Sequence, residues 1–310
     1  PQRTNLLTTS EPTGGPESNV TFQSDFNALG FTNCVFYEDN TLTRYFYQGS
    51  TPASTECTFS AFVKMDSGNE PVVGTTTGSG DFVIVINSAI ATQVNPNVSM
   101  GSNVWRVSAT RTTGSGGTSN GLVKYTSQTA NGFRVTGLQA EAGSYPTSYI
   151  PTVAASVTRN EELFTRTGIG DLINSAEGVI FVEFAALNND GTNRQISLSD
   201  GTADNRVTIS MSSVSNEIAG QVRSGGGLSM NKSNAMTQTN FNKVAIKWKV
   251  DDFAIWLNGT EVKTDASGAA PIGLNQLSFD KGDGLDDFFG KIRQLQVYKT
   301  ALSDTQLTSL

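Results

Sequence analysis

The residues in this chain best suited to chemistry are aromatic and acidic. Tyr45 and Tyr47 flank Phe46 in an aromatic triplet, and Tyr125 follows the apolar Leu122-Val123 pair. A pyranose ring can pack one face against an aromatic ring, so Tyr45, Tyr47 and Tyr125 are the candidate carbohydrate-binding residues. Trp105, Trp248 and Trp256 lie inside strand-like patterns and are expected in the core. The run Asp280-Lys281-Gly282-Asp283-Gly284-Leu285-Asp286-Asp287 holds four carboxylates within eight residues. Oxygen ligands on a glycine-curved loop suit a hard cation, which makes Asp280, Asp283, Asp286 and Asp287 candidate Ca2+ ligands and Ca2+ the one candidate cofactor. The spacing is not that of an EF-hand loop and Lys281 dilutes the charge, so a solvated acidic turn is the competing reading.

What is missing restricts the chemistry further. The chain has no histidine, which removes the usual general base, the Ser-His-Asp and Cys-His nucleophile systems, and the commonest zinc ligand. Retaining glycoside hydrolysis needs two carboxylates about 5 Å apart. On one strand an E-x-D-x-x-E pattern supplies them, because residues two apart share a face. Glu183 stands without such a partner, no catalytic residue is assigned, and the chain is expected not to be an enzyme. The net charge is −7, and both halves are acidic, so there is no basic footprint for nucleic acid or for an anionic membrane surface. No apolar run approaches the roughly 20 residues of a membrane span. Cys34 and Cys57 read either as buried free thiols or as a bond between neighbouring strands. The start, Pro1-Gln2-Arg3-Thr4, reads as the interior of a longer chain or as a processed end.

The elements that must position these residues are strands. Charged residues make up only 16% of the chain and hydrophobic residues 37%, so Ser, Thr, Asn and Gly must cover the surface and supply turns. Strand patterns recur at 35–37, 43–47, 57–64, 81–87, 104–110 and 133–138. In 57–64, Cys57, Phe59, Ala61 and Val63 alternate onto one face. In 81–87 the unbroken apolar run predicts a strand buried on both faces. Residues 8–33 read as irregular connection with at most one strand, and 112–121 as an irregular Gly/Ser/Thr loop. A second series follows at 178–185, 194–199, 206–212, 217–223, 241–250, 253–257, 276–280 and 291–298, and Asn258-Gly259 is a type I′ hairpin turn. Ser303 and Gln306 form a capping box for one short terminal helix, whose Leu302, Leu307 and Leu310 stripe is expected to seal an open end. The fold is therefore expected to be all-β, two tandem antiparallel β-sandwich (jelly-roll) domains at 1–150 and 161–310. An extended linker at 151–160 follows the first domain, and Tyr145 and Tyr149 are expected to pin the two together.

Two stretches resemble known families. Phe289-Gly290-Lys291-Ile292 through Tyr298-Lys299-Thr300-Ala301-Leu302-Ser303 resembles the closing strand of concanavalin A-like/laminin-G-like domains, as does the hairpin Phe253-Ala254-Ile255-Trp256-Leu257-Asn258-Gly259. The stretch from Gly137-Leu138-Gln139-Ala140-Glu141 through Tyr145-Pro146-Thr147-Ser148-Tyr149-Ile150-Pro151-Thr152, followed by Val157-Thr158-Arg159, resembles a junction of bacteriophage virion proteins. There a carbohydrate-binding-module-like sandwich precedes a laminin-G-like domain. The resemblance implies a non-enzymatic protein of the virion surface, a head or tail fibre or decoration, outside the cell and trimeric. Its implied partners are other virion proteins and host or environmental glycans. The alternative is a secreted cellular carbohydrate-binding protein, or a non-catalytic module of a polysaccharide-degrading enzyme. Residues 8–100 depart from the family pattern and look shortened.

Overall fold

The alternation along 57–64 sets how the first half packs. Phe59, Ala61 and Val63 point into one interior, and Val107 and Ala109 of the paired strand join them there. The computed structural model describes residues 1–310. They divide into two compact units, Gln2–Glu161 and Glu162–Leu310, with Pro1 grouped in the latter.

The first unit contains β1 (Arg3–Asn5), β2 (Glu17–Ser18), β3 (Thr21–Gln23), β4 (Cys34–Tyr37), β5 (Arg44–Tyr47), β6 (Glu56–Met65), β7 (Val83–Ile86), β8 (Ala89–Ile90), β9 (Val98–Ser99), β10 (Val104–Thr112), β11 (Gly121–Lys124), β12 (Phe133–Ala142) and β13 (Val157–Arg159). Two sheets, ordered β3-β4-β12-β6-β10-β9 and β2-β5-β11-β7-β8, share one core. Its members include Val35, Phe59, Val107 and Phe133 from the first sheet and Phe46, Ile84, Ile86 and Leu122 from the second. A bulge interrupts the β6–β12 register between Thr136 and Gln139. Gly137 takes φ +57° there, and a Cβ would lie 2.4 Å from the Phe62 ring, so only glycine fits.

The stretch 137–152 folds as a buried clasp inside this unit. Gln139 Nε2 donates to Glu141 Oε2 at 2.6 Å, and the backbone of Ile150 donates to Gln139 Oε1 at 2.6 Å. Glu141 also accepts from the backbone and hydroxyl of Thr147. Asn5 Nδ2 donates to the carbonyl of Ile150 at 2.9 Å. Tyr145 lies under the Arg3 guanidinium, and Tyr149 packs on Phe31 and Phe62 with its hydroxyl 2.5 Å from Ser10 Oγ. Both tyrosines thus serve the first unit's own packing. Within the 151–160 stretch, β13 pairs with β1. Cys34 and Cys57 are buried free thiols. Burial pushes the Cys34 thiol up to about 11, and its S–H points at Asp25.

The second unit contains β14 (Thr165–Arg166), β15 (Glu177–Ala186), β16 (Arg194–Ser199), β17 (Arg206–Met211), β18 (Glu217–Ser224), β19 (Gly227–Ala235), β20 (Asn242–Lys249), β21 (Phe253–Leu257), β22 (Thr260–Asp265), β23 (Gln276–Ser278), β24 (Gly290–Tyr298) and the helix α1 (Asp304–Ser309). Sheets ordered β14-β23-β16-β17-β18-β19 and β22-β21-β20-β15-β24 enclose a core that includes Leu198, Ile209, Val182, Ile246 and Trp248. Every strand pair in both units is antiparallel. Both units are therefore β-sandwiches. Asn258 and Gly259 take φ of +50° and +78° in the β21–β22 turn, as a type I′ hairpin requires.

Gln306 Oε1 accepts from the Ser303 backbone at 2.9 Å and starts α1. Leu307 then packs on Val179, Phe181, Ala245 and Trp256. These side chains alternate with the interior ones along β15, β20 and β21, so α1 covers the outer face of a sheet and not an open end of the sandwich. Of the three tryptophans, Trp248 and Trp256 are buried, while Trp105 stays partly exposed.

Candidate functional site

Alternation along β5 sends Phe46 into the core and turns Tyr45 and Tyr47 outward. The register brings Tyr45 opposite Val123, which lies opposite Val83, and Tyr47 opposite Gly121, which lies opposite Val85. Val85 in turn faces Ile90 on β8. On this outer side Val83, Val85 and Val123 are buried at 0%, 3% and 2% exposure beneath the half-exposed Tyr45, Tyr47, Tyr125 and Ile90. Outer sheet faces ordinarily carry polar side chains, and here a valine floor is roofed by tyrosines.

The Tyr45 and Tyr47 rings stack 4.6 Å apart at 17°. Each therefore gives one ring face to the other. No hydrogen bond within the protein engages the three phenolic oxygens. Burial, followed by the neighbouring Tyr125 and Tyr45, raises the Tyr47 hydroxyl above its ordinary value, so it stays protonated and can both donate and accept at neutral pH. The structure thus brings all three sequence-predicted residues, Tyr45, Tyr47 and Tyr125, into one patch. Val83, Val85, Val123 and Ile90 complete it. Their signal was the apolar run on both faces of 81–87, but β11 begins within a stretch that reads as irregular.

The acidic loop of the second unit is arranged differently. Asp280 accepts from the backbone of Gly282, and Asp283 from that of Leu285. Lys281 Nζ stands 3.4 Å from Asp283 and 3.8 Å from Asp286, whose carboxylate also accepts from Gln195 Nε2 at 3.1 Å. Asp280, Asp283, Asp286 and Asp287 form no cluster of three or more acidic groups that could hold a metal ion. Asp280, Asp283 and Asp286 are instead engaged by backbone amides, Lys281 and Gln195.

Two other groups of polar side chains need accounting for. Glu183 pairs with Arg293 at 2.9 Å, not with a second carboxylate. The outward positions of β16, β17 and β18 carry Ser197, Ser199, Arg206, Thr208, Gln221 and Arg223, readable in the R-V-T-I-S-M alternation but not singled out from sequence. Arg206 is 6% exposed and donates to Gln221 at 2.7 Å, while its Nε and Nη1 and the Thr208 hydroxyl have no partner.

No protein-family model matches this chain, and no curated protein does. Among solved structures, the NanB sialidase of Streptococcus pneumoniae is similar over 47% of this chain and 26% of its own, at 16% identity and a TM-score of 0.40. The CBM40 of the Ruminococcus gnavus IT-sialidase, solved bound to α2,3-sialyllactose, is similar over 48% of this chain and 96% of its own, at 16% identity and a TM-score of 0.38. Sheep galectin-11 is similar over 45% of this chain and 99% of its own, at 7% identity and a TM-score of 0.32. This chain spans about a quarter of the length of the pneumococcal sialidase.

Proposed function

We propose that this chain is a non-catalytic carbohydrate-binding protein whose first sandwich holds a glycan on the outer face of β5, β11 and β7. The observation that carries this reading is the tyrosine roof of Tyr45, Tyr47 and Tyr125, whose rings are partly exposed and whose hydroxyls make no hydrogen bond within the protein. Sugar rings present both an apolar C–H face and hydroxyls, and half-exposed tyrosines answer both needs. A glycan array screened with the full chain, followed by calorimetric titration of the best ligand, tests it. Tyr45→Ala and Tyr47→Ala should each weaken binding by about tenfold or more, equivalent to about 1.4 kcal/mol. Tyr45→Phe should keep most of the affinity through the ring. An array with no bound glycan overturns the reading.

Display on a virion surface, with other virion proteins as partners and a trimeric assembly, is the setting implied by the 137–152 resemblance. The same tyrosine face would equally serve a secreted module beside a polysaccharide-degrading enzyme. A mass-spectrometric census of purified particles separates these, since absence of the chain from particles leaves only the secreted module.

A further inference from the structure

The tyrosine face has a chemical property that narrows its ligand, an inference that rests on the glycan-binding reading above. No charged side chain shares the register of Tyr45 and Tyr47 on its strands, the exposed Glu17 of β2 lying opposite Phe46. Ser18, Tyr45, Tyr47, Gly121, Val123, Val83, Val85 and Ile90 occupy the outward positions. The two cations on these strands, Arg44 and Lys124, face each other in register on the opposite side. Lys124 is fully buried, and its Nζ donates to the carbonyls of Asp81 at 3.1 Å and Thr129 at 2.7 Å. Arg44 is 6% exposed and is bound by Asp39 Oδ1 at 2.7 Å and by the carbonyls of Asp39 and Asn19. Both are buried on the side of the sheet opposite the tyrosines, so neither reaches a carboxylate or sulfate lying there.

An acidic sugar would therefore lose the water around its charge without gaining a charged partner. It would also approach a protein of net charge −7. A neutral sugar meets neither cost. Its C–H faces can pack on the exposed parts of the rings, and its hydroxyls can exchange hydrogen bonds with the phenols. The face spans β5, β11, β7 and β8, about 14 Å at the usual strand spacing, which admits a short oligosaccharide.

We propose that the face selects uncharged oligosaccharides and discriminates against those bearing carboxylate or sulfate. The experiment titrates the full chain with neutral cello-, laminari- and xylo-oligosaccharides, and with acidic sialyllactose and oligogalacturonate. Each titration is run at about 20 and about 500 mM NaCl, a range over which exposed ion pairs are strongly screened. The expected result is binding of a neutral oligosaccharide with affinity changed less than about twofold by salt and no measurable acidic binding. Tyr45→Leu together with Tyr47→Leu, which keeps the valine floor covered, should cut that affinity by at least about tenfold. Preference for an acidic sugar, weakening with salt, overturns this inference while leaving glycan binding in place. Neutral binding that the leucine variants do not disturb also overturns it, because the ligand then lies elsewhere. Binding of neither class removes the underlying reading and this inference with it.

Discussion

Asp39 is partly exposed, and Thr41, through its hydroxyl and its backbone amide, and Arg44 together hold its carboxyl at about 2. The folded value lies below the ordinary carboxylate value of about 3.9, so the charged form favours the folded state. That contribution is complete above about pH 4 and is lost as the pH falls toward 2. Thermal melts of Asp39→Asn and wild type should therefore converge as the pH falls from 4 to 2, the wild type losing more. Parallel curves would show that the charge on Asp39 does not matter to folding. The same residue holds Arg44 at 2.7 Å on the side of β5 opposite the tyrosines.

At the scale of elements, the clasp between β12 and the segment after it explains why Gln139, Glu141 and Thr147 occur together. Each of these polar residues is buried, and each answers a donor or acceptor that strand pairing leaves open. Glu141→Ala removes an acceptor from the Thr147 amide and hydroxyl and from Gln139 at once. Chemical denaturation should show a loss of about 2–4 kcal/mol, in line with leaving buried polar groups unpaired. A loss below about 0.5 kcal/mol would mean that water replaces the carboxylate. Strands were legible from period-two alternation in 57–64 and from an unbroken apolar run in 81–87. β19 was not, because Gly227–Ala235 is largely polar and owes its pairing to β18. The terminal helix was legible in its capping box, whereas its seat on Trp256 and Phe181 was not.

For the whole molecule, two separate cores imply two units able to bury their own apolar surface. The first holds Phe46, Phe59, Phe82 and Phe133, the second Phe184, Trp248 and Phe253. The clasp and the β1–β13 pair close the first unit upon itself. A fragment of residues 2–161 should accordingly fold with a cooperative melt and retain the sugar affinity of the full chain within about threefold, a difference of well under 1 kcal/mol. A fragment that is unfolded, or folded without affinity, would show that the first unit does not carry the site alone.

The sequence by itself determined the all-β architecture, because alternating β-branched and aromatic residues can bury one face only by layering sheets. It also determined the Asn258-Gly259 turn and the capping box, which depend on residues a few positions apart. Only the tertiary structure decided which side chains share a surface. Tyr45, Tyr47 and Tyr125 share one patch with Val83 because β5, β11 and β7 pair across long stretches of chain, and no local pattern encodes that order. For the same reason Lys281 stands between Asp283 and Asp286, since loop closure fixes which charges become neighbours and composition fixes only that they exist.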